Sequence, residues 1–239
     1  MRVAFDLDGV LADLHGAYAR AARELFPVLD PVLLASPSTG ASPPAAESDE
    51  VKEAPEAESQ PLLTPQQSQA VWKRLCAATN FWETLDEIEP GAVARLHSLA
   101  TERRWDVIFF TSRPVAPGDT VQRQTQRWLE RCGFPLPSVY IVQQARGRIA
   151  DALELDVVVD DRPEGCLDVV LESKARGILV WRGDAGAVPG SAKRLGIGMV
   201  SSVAACLDVL VEADRDEGEG LVARLRRLLG RKATRSAAS

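Results

Sequence analysis

The sequence has few cysteines, and they lie far apart. Cys76, Cys132, Cys166 and Cys206 form no C-x-x-C pair. That argues against a cysteine zinc site and against a disulfide framework; the four read as unbridged core thiols of a cytoplasmic protein. No apolar run approaches the roughly 18 residues that a membrane-spanning helix needs. Met1-Arg2 is followed by only a short apolar run before Asp6, which is too little for the core of a signal peptide. Basic residues are outnumbered, giving a formal net charge of −6, which argues against a dedicated binder of a nucleic-acid polymer. Histidine occurs twice, as His15 and His97, with no motif around either; both read as structural.

What remains is ordinary globular composition. The chain has 239 residues, 46% hydrophobic and 26% charged, which excludes collagen-like and wholly disordered classes. At this length about 70% of the unfolded surface can be buried, enough for one α/β domain or a core with a small second unit.

One segment departs from that average. Ser36 to Gln60 holds four prolines, five serines and six acids against the single base Lys52, with Val51 its only branched aliphatic residue. It has too little apolar surface to offset its ordering entropy. It reads as a disordered insertion over about 36–61, either a solvated linker or a docking segment. The far C-terminus differs again: Leu221, Leu225, Leu228 and Leu229 form an apolar stripe amid Arg224, Arg226, Arg227, Arg231, Lys232 and Arg235. A basic amphipathic helix and tail over 212–239 is expected, packing on the body or meeting a membrane surface or nucleic acid.

The rest alternates strand and helix signals. Val3-Ala4-Phe5, Val107 to Phe110, Val139 to Val142, Val157-Val158-Val159 and Ile178 to Trp181 are continuous apolar runs, as for strands covered on both faces. Helical spacing predicts helices over Leu14 to Phe26, Thr64 to about Thr79, Ala92 to Arg103, Thr120 to Arg131, Arg148 to Leu153 and Cys166 to Ser173. Thr64-Pro65-Gln66-Gln67 has the form of a capping box with proline at the first helical position. The alternation predicts an α/β fold, a Rossmann-like parallel sheet with helices on both faces.

The strongest chemical signal is Phe5-Asp6-Leu7-Asp8-Gly9-Val10-Leu11-Ala12-Asp13. Two carboxylates two residues apart at a strand end point to the same side, and such a pair is costly without a cation. Gly9 lets the backbone turn away at once. A calcium loop is excluded, because Val10 and Leu11 stand where it needs a ligand and a glycine.

This pattern resembles the first motif of the haloacid dehalogenase-like (HAD) hydrolases. Two further motifs agree: a strand ending in Thr111 within Phe109-Phe110-Thr111-Ser112-Arg113-Pro114, and a later strand ending in Asp160-Asp161 before Arg162-Pro163-Glu164. All three fall at C-terminal strand ends, where open α/β sheets place their sites. The resemblance extends from Met1 to about Trp181, apart from the insertion. It departs at the lysine usually found before the paired acids. No lysine lies between Lys73 and Lys174; Arg146 falls at the matching position, with Arg148 as the alternate. Arginine keeps the charge and binds phosphate bidentately, in a different geometry from lysine.

The resemblance implies a Mg²⁺-dependent phosphatase acting through an aspartyl-phosphate. Asp6 would be the nucleophile, and Asp8 would protonate the leaving oxygen and then activate water. Mg²⁺ would be held by Asp6, the backbone carbonyl of Asp8, Asp161 and, directly or one layer out, Asp160. Thr111 and Arg146 would hold phosphate oxygens, with Ser112, Arg113 and Arg148 as further phosphate or substrate contacts. Arg113 has an equal second reading, a surface residue capping the next helix. Residues 1–13 and 91–211 would form the core, and 14–90 a helical cap inserted after the first strand. Phe81-Trp82-Glu83-Thr84-Leu85 before Pro90-Gly91-Ala92, and the Asp-Asp-Arg-Pro-Glu run, are similar to deoxyribonucleotidase-like members. Trp72, Phe81 and Trp82 would then either stack a base or serve as core. The substrate would be a small phosphorylated metabolite, a nucleotide or a sugar-phosphate or phosphoglycolate-type ester. The competing reading is a catalytically weak phosphate-binding or regulatory protein.

Overall fold

Most of the apolar runs become strands because successive residues enter separate hydrophobic layers; in the run Val139 to Val142, at the sheet edge, Tyr140 and Ile141 are exposed instead. The computed structural model describes residues 1–27, 63–142, 146–184, 188 and 190–215. Its strands are β1 (Arg2–Asp6), β2 (Asp106–Thr111), β3 (Ser138–Ile141), β4 (Val157–Asp160), β5 (Arg176–Val180) and β6 (Gly198–Val200). They form one sheet, ordered β3-β2-β1-β4-β5-β6, with every neighbouring pair parallel. Val3, Phe5, Val107, Phe109, Val157 and Val159 enter the larger hydrophobic cluster. Ala4, Ile108, Phe110 and Val158, one residue out of phase, enter a second cluster on the opposite face. A strand buried on both faces needs no polar alternation.

The helices are α1 (Leu14–Leu25), α2 (Pro65–Cys76), α3 (Ala92–Arg103), α4 (Val121–Arg131), α5 (Arg146–Ala152), α6 (Pro163–Glu172), α7 (Gly190–Arg194) and α8 (Val203–Arg215), with a 3₁₀ turn at Phe81–Glu83. The capping box at Thr64 is present, both of its reciprocal hydrogen bonds made. α2 ends at Cys76 rather than near Thr79, since Asn80 turns left-handed (φ 55°) to accept the Asp119 N–H on its side chain and donate its own N–H to Pro117 O, both at 2.8 Å. α5 starts at Arg146, before the expected Arg148, and α6 starts at Pro163, whose fixed φ suits a first helical position. β6, α7 and α8 extend the alternation past Trp181.

α1 and α2 pack as a pair. Tyr18 OH donates to Ser68 Oγ at 2.8 Å, and the Tyr18 and Trp72 rings lie 5.7 Å apart. The two chain crossings between this pair and the sheet run together: Asp13 N–H donates to Asp86 O, and Ile88 N–H to Leu11 O, each at 2.9 Å. No disulfide joins the cysteines. Among the described residues no helix is long and apolar enough to cross a membrane. The acidic insertion (about 36–61) and the basic stripe from Leu221 onward lie outside the described residues.

Candidate active site

The sheet order reverses direction beside β1, with β2 and β3 to one side and β4 to β6 to the other. In parallel α/β sheets such a reversal leaves a crevice at the C-terminal strand ends. Asp6 ends β1, Thr111 ends β2 and Asp160 ends β4, so three segments far apart in the chain meet there.

Asp6, Asp160 and Asp161 each offer a carboxylate oxygen, all within 4.8 Å of one another. Asp6 and Asp160 are buried. Burial pushes the Asp6 carboxyl well above its usual range; Arg146 pulls it down, and the neighbouring acids push it up again. Burial likewise raises Asp161, against the opposing pull of His15. Two glycines make room for the acids: a Cβ on Gly9 would collide with the Asp161 carboxylate, and one on Gly165 with that of Asp160.

Arg146 is buried between two of these acids. Its Nη2 donates to Asp6 Oδ1 at 2.6 Å, and its Nη1 donates to Asp160 Oδ2. The opposing effects of burial and of Asp6 and Asp160 resolve in favour of the charge, so Arg146 stays protonated. Arg148 is not brought to this cluster. Its side chain is 78% exposed and pairs with Glu172 at 3.3 Å. Helix periodicity explains the split, since residues two apart face different sides.

Asp8 has a partner of its own. Its carboxylate is held by Arg113, with Nη2 to Oδ1 at 2.7 Å and Nε to Oδ2 at 2.9 Å. Asp8 still bears on Asp6, whose carboxyl it helps to raise, and the backbone turns directly after it at Gly9 (φ 86°). Arg113 is no surface residue. Its side chain is fully buried, its Nη1 donates to Thr125 Oγ1 at 3.1 Å, and its guanidinium lies 5.0 Å from the Trp82 ring centre. Thr111 is buried beside it, accepting the Arg113 N–H at 3.4 Å, and Ser112 is half-buried.

The aromatic residues offered for base stacking are core. Trp72, Phe81 and Trp82 are all buried, and Trp82 is fixed by its Nε1–H to Pro114 O at 3.0 Å. His15, expected to be merely structural, stands at the site: its Nε2 lies 3.9 Å from Asp161 Oδ2. No local motif signals this, because the approach arises from the packing of α1 over the strand ends. Cys166 is buried near the same acids, and burial pushes its thiol well up.

The residues present fit a hard divalent cation. All the donors are oxygens, as such ions prefer, and Asp161 Oδ1 is buried without a hydrogen-bond partner. A buried acceptor left unpaired costs stability unless something else meets it.

No family model matches the chain. It is 28% identical over 169 residues to a mitochondrial 5'(3')-deoxyribonucleotidase of Mus musculus, covering 69% of this chain and 66% of that one. The chain thus spans just under two thirds of that relative's length. The crystal structure of a HAD family hydrolase from Deinococcus radiodurans R1, with bound phosphate and sodium, superposes with a TM-score of 0.55 at 17% identity, covering 89% of this chain and 95% of that one. Motif order, sheet order and this superposition agree that the chain carries the haloacid dehalogenase-like α/β fold.

Proposed function

We propose that the protein is a cytoplasmic, Mg²⁺-dependent phosphatase that hydrolyses a small phosphomonoester through an aspartyl-phosphate on Asp6. The observation that carries this is the convergence of Asp6, Thr111, Asp160 and Asp161 at adjacent strand ends, with Arg146 among them. Asp6 attacks phosphorus, forming the Asp6 O–P bond as the ester P–O bond breaks. Asp8 gives its proton to the leaving oxygen, then takes one from the water that attacks the acyl-phosphate, and inorganic phosphate departs. Thr111, Ser112 and Arg146 hold phosphate oxygens, where the transition-state charge resides. Arg113 orients Asp8. Asp6, Asp160, Asp161 and the backbone carbonyl of Asp8 would hold Mg²⁺, which supplies relief of the repulsion between carboxylate and phosphate. Residues 14–90 act as the cap over the core formed by 1–13 and 91–211. The likeness to a deoxyribonucleotidase favours a nucleotide among the candidate esters.

The test is phosphate release from a panel of nucleotides and sugar phosphates, with and without Mg²⁺, for wild type and Asp6→Asn. Mg²⁺-dependent release that falls by about 10³-fold or more in Asp6→Asn is expected, as for loss of a covalent nucleophile. One observation favours a second reading. Both arms of Arg146 are committed to Asp6 and Asp160, as would suit a weak phosphate-binding or regulatory protein. Phosphate affinity without turnover on any panel member would decide for that reading.

A further inference from the structure

A second set of convergent hydrogen bonds lies behind the Gly9–Val10 turn, on the residues just beyond β5. Arg182 Nη1 donates to Gly9 O at 2.6 Å, and its Nη2 to Val10 O at 3.2 Å and to Glu89 Oε1 at 2.7 Å. Glu89 lies on the crossing that returns from α2 to the sheet. Its Oε1 accepts the Val203 N–H at 2.7 Å and its Oε2 the Ala204 N–H at 2.9 Å. These are amides of the first turn of α8, which have no partner within the helix. Burial alone would push the Glu89 carboxyl up, but those two amides and Arg182 outweigh it and hold it below its usual range. Glu89 therefore stays charged.

The turn they hold matters to the site. Leu7 O already accepts the Leu11 and Ala12 N–H groups, and Gly9 N–H donates to Ala12 O. The carbonyls of Gly9 and Val10 are left to Arg182. Gly9 sits so close to Asp161 that a Cβ would not fit, and Asp8 precedes it directly. A shift of this turn would displace Asp8 and disturb Asp161 together.

We propose that Arg182, anchored by Glu89, is a positioning residue for the Asp8–Val10 turn, so that the end of β5 and the start of α8 set where the Asp8 carboxylate stands. This rests on the phosphatase reading for its effect on rate, though not for its effect on the turn. The test uses the full chain as wild type, Arg182→Gln, Arg182→Lys and Glu89→Gln. It measures p-nitrophenyl phosphate turnover in Mg²⁺ and backbone amide exchange. Arg182→Gln is expected to lower kcat by about 10–100-fold with KM within about twofold, the scale of a small misplacement of a reacting group. Arg182→Lys should recover part of the loss, and Glu89→Gln should lose less than Arg182→Gln. Exchange should quicken at residues 9–13 and stay unchanged in β2. Unchanged exchange at 9–13 in Arg182→Gln overturns the proposal, as does faster exchange with undiminished kcat. Should Arg182→Gln fail to fold, Glu89→Gln is judged by the same two measurements. Wild type without turnover overturns the phosphatase reading instead, and the exchange data alone then decide whether Arg182 holds the turn.

Discussion

Two arginine–carboxylate corners lie side by side at the strand ends, and they solve different problems. At one, Arg146 stands between Asp6 and Asp160, with all three buried. One cation serves two buried anions, so the corner remains short of positive charge. At the other, Arg113 meets a single acid, Asp8, whose side chain is 18% exposed. The first corner is a site of charge compensation with capacity for a further cation. The second is a site of orientation, where a rigid guanidinium fork fixes a carboxylate at the mouth.

The largest effect that can break this contrast is Arg146→Ala. It strands two buried carboxylates, and a loss of about 3–5 kcal/mol in stability is expected. Mg²⁺ should restore much of the melting temperature, because the same acids would hold it. Arg146→Lys should keep most stability. Next comes Arg113→Ala, expected to cut turnover by about 10²-fold through misplacement of Asp8. Its melting temperature should gain no more from Mg²⁺ than that of wild type. If Mg²⁺ rescues both variants equally, the two corners do not differ in kind.

A smaller effect sharpens the electrostatics. The folded Glu89 carboxyl titrates below its unfolded value of about 4.3. Its contribution to stability is therefore fully present above that pH and is lost as pH falls through the folded value. Glu89→Gln should be flatter than wild type in melting temperature between about pH 5 and 3. A wild-type acid limb in the variant would remove Glu89 from the account. The smallest effect is that of Arg148→Ala, which breaks an exposed pair with Glu172. It should change stability by less than about 0.5 kcal/mol and leave phosphate release at the wild-type rate. A loss comparable to that of Arg146→Ala would return Arg148 to the site.

Much of this was legible in the residues. Continuous apolar runs marked strands β1 to β5, although β3, at the sheet edge, is exposed at Tyr140 and Ile141 rather than covered on both faces, and each acid motif sits at the strand end where the run stops. Thr64 marked a helix start because capping is a local interaction, complete within three residues. What escaped depends on distant partners. Arg113 meets Asp8 across 105 positions, so nothing near it in sequence shows that it is buried. His15 approaches Asp161 only through the packing of α1. Asn80 ends the α2 region in a left-handed turn to satisfy Asp119 and Pro117, a tertiary demand that helical spacing does not carry. β6, three residues long, is too short for a pattern to emerge.

The central place of β1 also has a kinetic consequence. Val3 is flanked by Val107 on one side and Val157 on the other, so two long loops must close before the strand has both neighbours. Loop closure of that length slows folding relative to local contacts. The acids converge only when this pairing is complete, so chemical competence arrives late in refolding. Recovery of phosphate release after dilution from denaturant should lag behind recovery of helical signal.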